Sequence, residues 1–154
     1  MMYKRPINGL EAVTGIGHKV DKATAALPQT TDGALFTITG GRILLTGIIG
    51  EVTTVIETQA NNTKIKFNPD ATGADQDLCG VLDISADAVG TLYTITGIVA
   101  NAMRDDLLIG QAMTNYLILS EGDIELDCAA SNTGNVGWTA LWMPLDDTAN
   151  LVAA

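Results

Sequence analysis

Residues 33–57 read GALFTITGGRILLTGIIGEVTTVIE, and the reading of this stretch decides the fold class. Leu, Phe, Ile, Val and Thr dominate it, no Pro interrupts it, and Gly40-Gly41, Gly47 and Gly50 cut it into short segments. Apolar runs this short, rich in β-branched residues and bounded by Gly, predict buried strands rather than a helix. An echo lies downstream, where Leu35-Phe36-Thr37-Ile38-Thr39-Gly40 is nearly repeated by Leu92-Tyr93-Thr94-Ile95-Thr96-Gly97. One hexapeptide falls far short of a repeat protein, but it suggests one strand-plus-turn solution used twice.

Outward from this stretch the strand signals continue. Gln59-Ala60-Asn61-Asn62 is a polar turn, and Thr63-Lys64-Ile65-Lys66-Phe67 alternates, with both lysines on one face. Residues 68–75 form a loop by every local signal. Residues 78–84 predict a strand with Leu82 and Ile84 inward and Asp83 outward, and residues 91–99 another. Residues 100–116 are ambiguous: Met103, Leu107 and Met113 could line a helix face, while Asp105-Asp106 and Gly110 favour a long loop. A short strand at residues 118–120 leads into Asp123-Ile124-Glu125-Leu126-Asp127-Cys128, the cleanest alternation in the chain. The last expected strand, residues 137–144, carries Trp138 and Trp142 on one face, and residues 146–154 read as a tail.

On the N-terminal side, residues 1–32 lack a sustained period. Asn8-Gly9, Gly15 and Gly17 punctuate them, and only residues 21–27 could make a helical turn or two before Pro28. They predict an extended arm that orders against a neighbour, leaving residues 33–154 as the folded domain. About eight short strands with turn signals at intervals of roughly 8–15 residues, and no convincing helix, predict an all-β chain. The expected architecture is a jelly-roll-like β-sandwich whose core includes Phe36, Ile38, Ile124, Leu126, Trp138 and Trp142.

Composition bounds the function. At 154 residues the chain is one domain by prior, able to remove roughly 68–70% of its unfolded surface from water without metals or disulfides. Hydrophobic residues make up 47% and charged residues 17%, so the apolar surplus lies either in an Ala- and Val-rich core or on a subunit interface. The net charge of −10 is uneven: residues 1–22 hold four bases (Lys4, Arg5, Lys19, Lys22) against two acids, and the remainder is strongly acidic. An acidic body argues against nucleic acid or an anionic membrane as the main partner. No secretory signal is visible at the start, and the longest apolar run, residues 43–49, is far short of a membrane span. A chain made in a cytoplasm is the expectation.

Several constellations could carry chemistry. Asp123, Glu125 and Asp127 share one strand face, where they could hold a cation, act as a carboxylate pair on a sugar, or simply face water. Asp70, Asp75 and Asp77 fit no calcium-loop spacing. His18 is the only histidine and reads as a solvent-exposed imidazole. Cys79 and Cys128 both fall on expected strands, as buried thiols or as a bridge between strands. Trp138 and Trp142 could stack sugars if exposed, though large aromatics on a strand more often serve the core. No phosphate loop, nucleophile elbow or dinucleotide fingerprint is present, so no catalytic residue, metal or cofactor is expected, and the chain reads as a non-enzyme.

The order of features resembles the head decoration, or cement, proteins of tailed bacteriophages. The resemblance rests on Leu35-Phe36-Thr37-Ile38-Thr39-Gly40-Gly41, Thr58-Gln59-Ala60-Asn61-Asn62-Thr63-Lys64 and Asp77-Leu78-Cys79. It continues through the echo at residues 91–97, Ile124-Glu125-Leu126-Asp127-Cys128-Ala129-Ala130-Ser131-Asn132-Thr133-Gly134, and the close at Trp138 and Pro144-Leu145. Residues 1–32 match it least. The resemblance implies a homotrimer on the outside of a virion head, bracing neighbouring major capsid subunits. Lys4, Arg5, Lys19 and Lys22 would then contact the capsid. The competing expectation is a carbohydrate-binding or tail-associated sandwich of a virion, with an enzyme third.

Overall fold

The computed structural model describes residues 17–154. Twelve strands and no helix occur among them: β1 (His18–Ala26), β2 (Asp32–Thr39), β3 (Ile43–Thr54), β4 (Asn62–Pro69), β5 (Gln76–Asp77) and β6 (Leu82–Asp83), then β7 (Thr91–Thr94), β8 (Arg104–Leu107), β9 (Leu117–Leu119), β10 (Gly122–Cys128), β11 (Asn135–Pro144) and β12 (Asn150–Ala153). With no helix present, none is long and apolar enough to cross a membrane.

The strands form two antiparallel sheets. Sheet A runs β1-β11-β3-β7-β8, with β9 also on β3, and sheet B runs β12-β2-β10-β4-β5, with β6 also on β4. Leaving out β6, β8, β9 and β12, the first strand pairs with the last (β1 with β11), β2 with β10, β3 with β7, and β4 with β5. Consecutive strands β1 to β4 alternate between the sheets. This is a long antiparallel ribbon wrapped on itself, the connectivity of a jelly roll. β12 extends sheet B and β8 extends sheet A.

Period-two alternation builds the core between the sheets. From sheet B come Phe36, Ile38, Ile65, Phe67, Ile124 and Leu126; from sheet A come Ile43, Leu45, Ile48, Val52, Tyr93, Trp138, Ala140 and Trp142, all buried. Each full-sized side chain so buried contributes about 1.5–3 kcal/mol. Four irregularities adjust the register; two lie at the β11 end of sheet A, between Lys22 and Ala25 and between Asn135 and Val136, and the other two fall within the core strands. One between Ile124 and Glu125 leaves Leu35 as an extra residue on β2, so that Leu35 and Phe36 are both buried. The other, opposite Leu141 and Trp142, makes Thr46 the extra residue of β3.

The echo uses the same solution in opposite sheets. Phe36 and Ile38 on β2 correspond to Tyr93 on β7 and Ile95 after it, and all four are buried. Each copy ends at a glycine in the left-handed region, Gly40 at φ 74° and Gly97 at φ 83°. A Cβ at Gly97 would lie 1.8 Å from the carbonyl oxygen of Asn115, so the turn admits no side chain.

Several boundaries differ from expectation. The segment read as an arm contributes a strand: His18–Ala26 pairs along β11 as an edge of sheet A, and residues 21–26 are extended rather than helical. Residues 1–16 lie outside the described residues. The expected tail contains β12, paired with β2. Within residues 100–116, Arg104–Leu107 is strand β8; Met103 and Met113 are buried but Leu107 is exposed. The strands expected at 78–84 and 91–99 shorten to Leu82–Asp83 and Thr91–Thr94, and Gln76–Asp77 is a strand just past the expected loop.

Candidate interaction surfaces

The two outer faces of the sandwich differ in character, beginning with the alternation of β4 and β10. That alternation puts Lys64 and Lys66 outward on β4 and Asp123, Glu125 and Asp127 outward on β10, and the register sets Lys66 opposite Glu125 and Lys64 opposite Asp127. Lys66 Nζ lies 2.5 Å from Asp32 Oδ2, 2.7 Å from Asp75 Oδ2 and 4.0 Å from Glu125 Oε2. Burial opposes the charge on Lys66, but the hydrogen bonds it donates to Asp32 and Asp75 outweigh it and raise its pKa. Lys64 bonds Asp77 at 2.8 Å and lies 3.9 Å from Asp127. Burial, and then the nearby Asp32 charge, raises the Asp127 pKa.

Glu125 therefore does not face water as expected. It is only 8% exposed, and its Oε1 accepts a 3.2 Å hydrogen bond from Asn68 Nδ2. Carboxylate oxygens of Asp32, Asp75 and Glu125 lie within 4.8 Å of one another, a spacing that would suit a cation. The Lys66 ammonium stands where that cation would have to be, so the cluster is an internal ion-pair network. Asp123, the third acid of the strand, accepts a 2.6 Å bond from Thr37 Oγ1.

The remaining candidate residues serve the fold. Trp138 and Trp142 are 3% and 6% exposed. Trp138 stacks on Tyr93 with centroids 6.2 Å apart, and Trp142 packs at 5.1 Å against the His18 ring. His18 is accordingly half-buried rather than solvent-exposed. Cys79 and Cys128 are free buried thiols; burial pushes the Cys79 thiol up to about 11 and raises Cys128 as well.

Two asparagines from the stretches that carry the phage resemblance are polar staples. Asn61 donates to the Ala130 carbonyl at 3.2 Å and accepts from the Ala130 amide at 3.0 Å. Asn132 Nδ2 donates to the carbonyls of Glu57 and Gln59 at 3.2 and 2.6 Å. Together they tie the turn after β3 to the turn after β10. Nothing in spacing alone marks them, because Asn in a turn reads simply as a turn residue.

Of the four basic residues named for capsid contact, Lys4 and Arg5 lie outside the described residues. Lys19 pairs with Asp21 at 2.8 Å on the outer side of β1, and Lys22 Nζ donates to the Ala154 main-chain oxygen at 2.5 Å. The structure thus separates Lys19 from Lys22: one lies on the sheet surface, the other at the seam where β1 meets the end of β12.

The outer face of sheet A carries an apolar patch beside the polar residues Lys19, Asp21, Thr139 and Glu51. Leu141 and Met143 on β11, Leu44 and Ile49 on β3 and Ile118 on β9 project from it, half-buried or exposed, with Ile118 66% exposed. At the β8 edge three consecutive large residues, Leu107, Leu108 and Ile109, are 57%, 78% and 65% exposed. Sequence reasoning read residues 100–116 as a long loop in which Leu107 could line a helical turn, and did not single out the other two. The signal was the unbroken apolar triplet in a segment with otherwise loop-like composition. No protein-family model, curated protein or solved structure matches this chain.

Proposed function

We propose that this chain is a non-enzymatic structural protein of a phage virion. It decorates the outside of the assembled head as a homotrimer and braces neighbouring major capsid subunits. It is made in the host cytoplasm and ends on the capsid exterior. The resemblance of residues 33–154 motivates the reading, and one observation carries it. Among the described residues thirteen large hydrophobic side chains are exposed, on a chain of net charge −10. Apolar surface on so acidic a chain fits protein–protein contact better than nucleic acid or membrane. The apolar patch on the outer face of sheet A lies against capsid subunits, and the charged outer face of sheet B, whose lysines and carboxylates satisfy one another, faces solvent. Three such faces on one trimer sum weak single contacts into stable attachment.

The residues that suggested sugar binding are engaged in the fold. Both tryptophans are in the core, and Asp32, Asp75 and Glu125 are held by Lys66. Bracing is tested by heating undecorated heads of the encoding phage with and without saturating protein. The reading expects decorated heads to disrupt at a higher temperature, and an unchanged disruption temperature would overturn it.

A further inference from the structure

Part of the apolar patch on the outer face of sheet A is a cross-strand row. Met143 on β11 pairs with Leu44 on β3, and Leu44 pairs with Ile118 on β9. Met143 is 36% and Ile118 66% exposed. At Ile118 the row meets a groove of about 730 Å³ whose apolar lining is Leu78, Val99, Leu117 and Ile118. The charged residues on the groove are already engaged: Asp75 by Lys66, Asp77 by Lys64 and Arg42 by Asp146. Two acids beside it are not. Glu121 follows Ser120 of the groove, and its carbonyl accepts the Asp70 amide at 3.1 Å. Neither Glu121 nor Asp70 has an ion-pair partner among the described residues, and both are exposed.

The other end of the row is where the described chain begins. Gly17 precedes the His18–Trp142 pair and lies against Met143, so that a Cβ there would stand 2.5 Å from Met143 Cγ. Its φ of 93° turns the chain as it enters β1. Residues 1–16, outside the described residues, read MMYKRPINGLEAVTGI. Ile7, Leu10, Val13 and Ile16 stand three apart, and Lys4 and Arg5 outnumber Glu11. An apolar, net-basic segment is thus attached at the start of an exposed apolar row that ends beside two unpaired acids.

Reach and spacing agree. Neighbouring strands lie about 4.8 Å apart, so Met143 to Ile118 spans roughly 10 Å. Three residues of extended chain cover the same roughly 10 Å. Attachment at Gly17 also makes the contact intramolecular, so it avoids the loss of translational and rotational freedom that a separate partner would bear.

We propose that residues 7–16 lie across the Met143–Leu44–Ile118 row of their own chain. Ile16 then rests at Met143, Val13 at Ile118 and Leu10 in the groove, with Lys4 and Arg5 carried toward Asp70 and Glu121. Leu141, Ile49 and the Leu107–Ile109 triplet stay uncovered for the capsid contact of the proposed function, which this contact does not require.

The test is methyl NMR on the full 154-residue chain with a spin label at Thr14→Cys; Cys79 and Cys128 are buried and stay unlabelled. The methyls of Met143, Leu44 and Ile118 should lose most of their intensity. Val55, just past the other end of β3 and roughly 35 Å from Leu44 by strand rise, should keep its own. In the same labelled chain, Ile7→Asp, Leu10→Asp and Val13→Asp together should abolish the broadening while circular dichroism shows the strands intact. Absence of broadening at the three methyls overturns the proposal, as does broadening that survives the triple substitution. It is also overturned if the effect appears only between a spin-labelled copy and a separate isotope-labelled one, because the occupant is then a neighbour's segment. Head binding without the broadening rejects this contact alone. Broadening in a protein that ignores heads leaves the contact standing, and only the decoration reading falls.

Discussion

Replacing Lys66 by Met removes the one cation among three carboxylates while keeping the aliphatic bulk. Lys66 and Glu125 side chains are only 10% and 11% exposed, whereas Asp32 and Asp75 are 37% and 41% exposed. Removing one partner of a buried ion pair costs about 3–5 kcal/mol, and the exposure of two of the three acids lowers that. Two carboxylates within 4.8 Å of each other repel by at least about 1 kcal/mol at the dielectric of water and about 3.5 kcal/mol at an effective dielectric of 20. The expected loss is therefore about 2–3 kcal/mol at pH 7, read as a lower urea midpoint at unchanged slope.

The pH dependence has a definite sign. In wild type the folded-state pKa of Lys66 is raised, so its contribution is complete at pH 7 and is lost only as pH rises past the range of a free lysine. In the variant the uncompensated acids take up protons more readily when folded than when unfolded. The gap between variant and wild type should therefore narrow as pH falls toward 4. Adding Glu125→Gln to Lys66→Met should recover at least about 1 kcal/mol. A loss under about 0.5 kcal/mol, or a gap that stays constant down to pH 4, would refute the ion-pair account.

Other positions separate core from surface and test the turns. Ile124→Asp should cost more than about 4 kcal/mol, because an unpaired carboxylate would enter the core; Glu125→Ala should cost about 1 kcal/mol, because Lys66 keeps Asp32 and Asp75. Equal urea midpoints for the two variants would put the β10 register in error. Gly97→Ala should lose at least about 2 kcal/mol, from a left-handed backbone and a clash with the Asn115 carbonyl. Gly73→Ala, where the nearest atom is 3.8 Å from the added Cβ, should leave the melting temperature nearly unchanged. The Cys79 thiol should resist alkylation at pH 8 until the protein unfolds. Its folded pKa near 11 lies above the unfolded value, so between roughly pH 9 and 11 it should make stability fall by about 1.4 kcal/mol per pH unit. Cys79→Ala should flatten that slope.

How much was legible in the sequence follows from which side chains carry the pattern. Strands with one apolar face announced themselves: Ile124 and Leu126 on β10, Ile65 and Phe67 on β4, Trp138 and Trp142 on β11. β1 did not, because its inward face is His18, Val20 and Lys22, and no apolar alternation survives that mixture. β12 and β8 are four-residue edge strands recruited by their neighbours β2 and β7, and local propensity carries too little information at that length. Glu125 was misassigned for a different reason. Alternation correctly put it on the outer face, but burial there came from Lys66 and Asn68, contacts set by tertiary register. The exposed triplet Leu107-Leu108-Ile109 was visible as composition, yet its exposure depends on the β7–β8 pairing, which no local rule supplies.

The most direct test of the proposed decoration role is sedimentation of the 154-residue chain with undecorated heads of the phage the proposal assigns it to and, in parallel, with free major capsid subunits. The account predicts saturable co-sedimentation with heads and none with subunits, because the spacing that a trimer bridges exists only in the assembled lattice. Residues 1–16 are the part that can be removed without cutting into β1, and their loss should weaken attachment most at low salt if Lys4 and Arg5 contribute. Full-length protein that stays in the supernatant when heads pellet, or that binds free subunits equally well, would contradict the account.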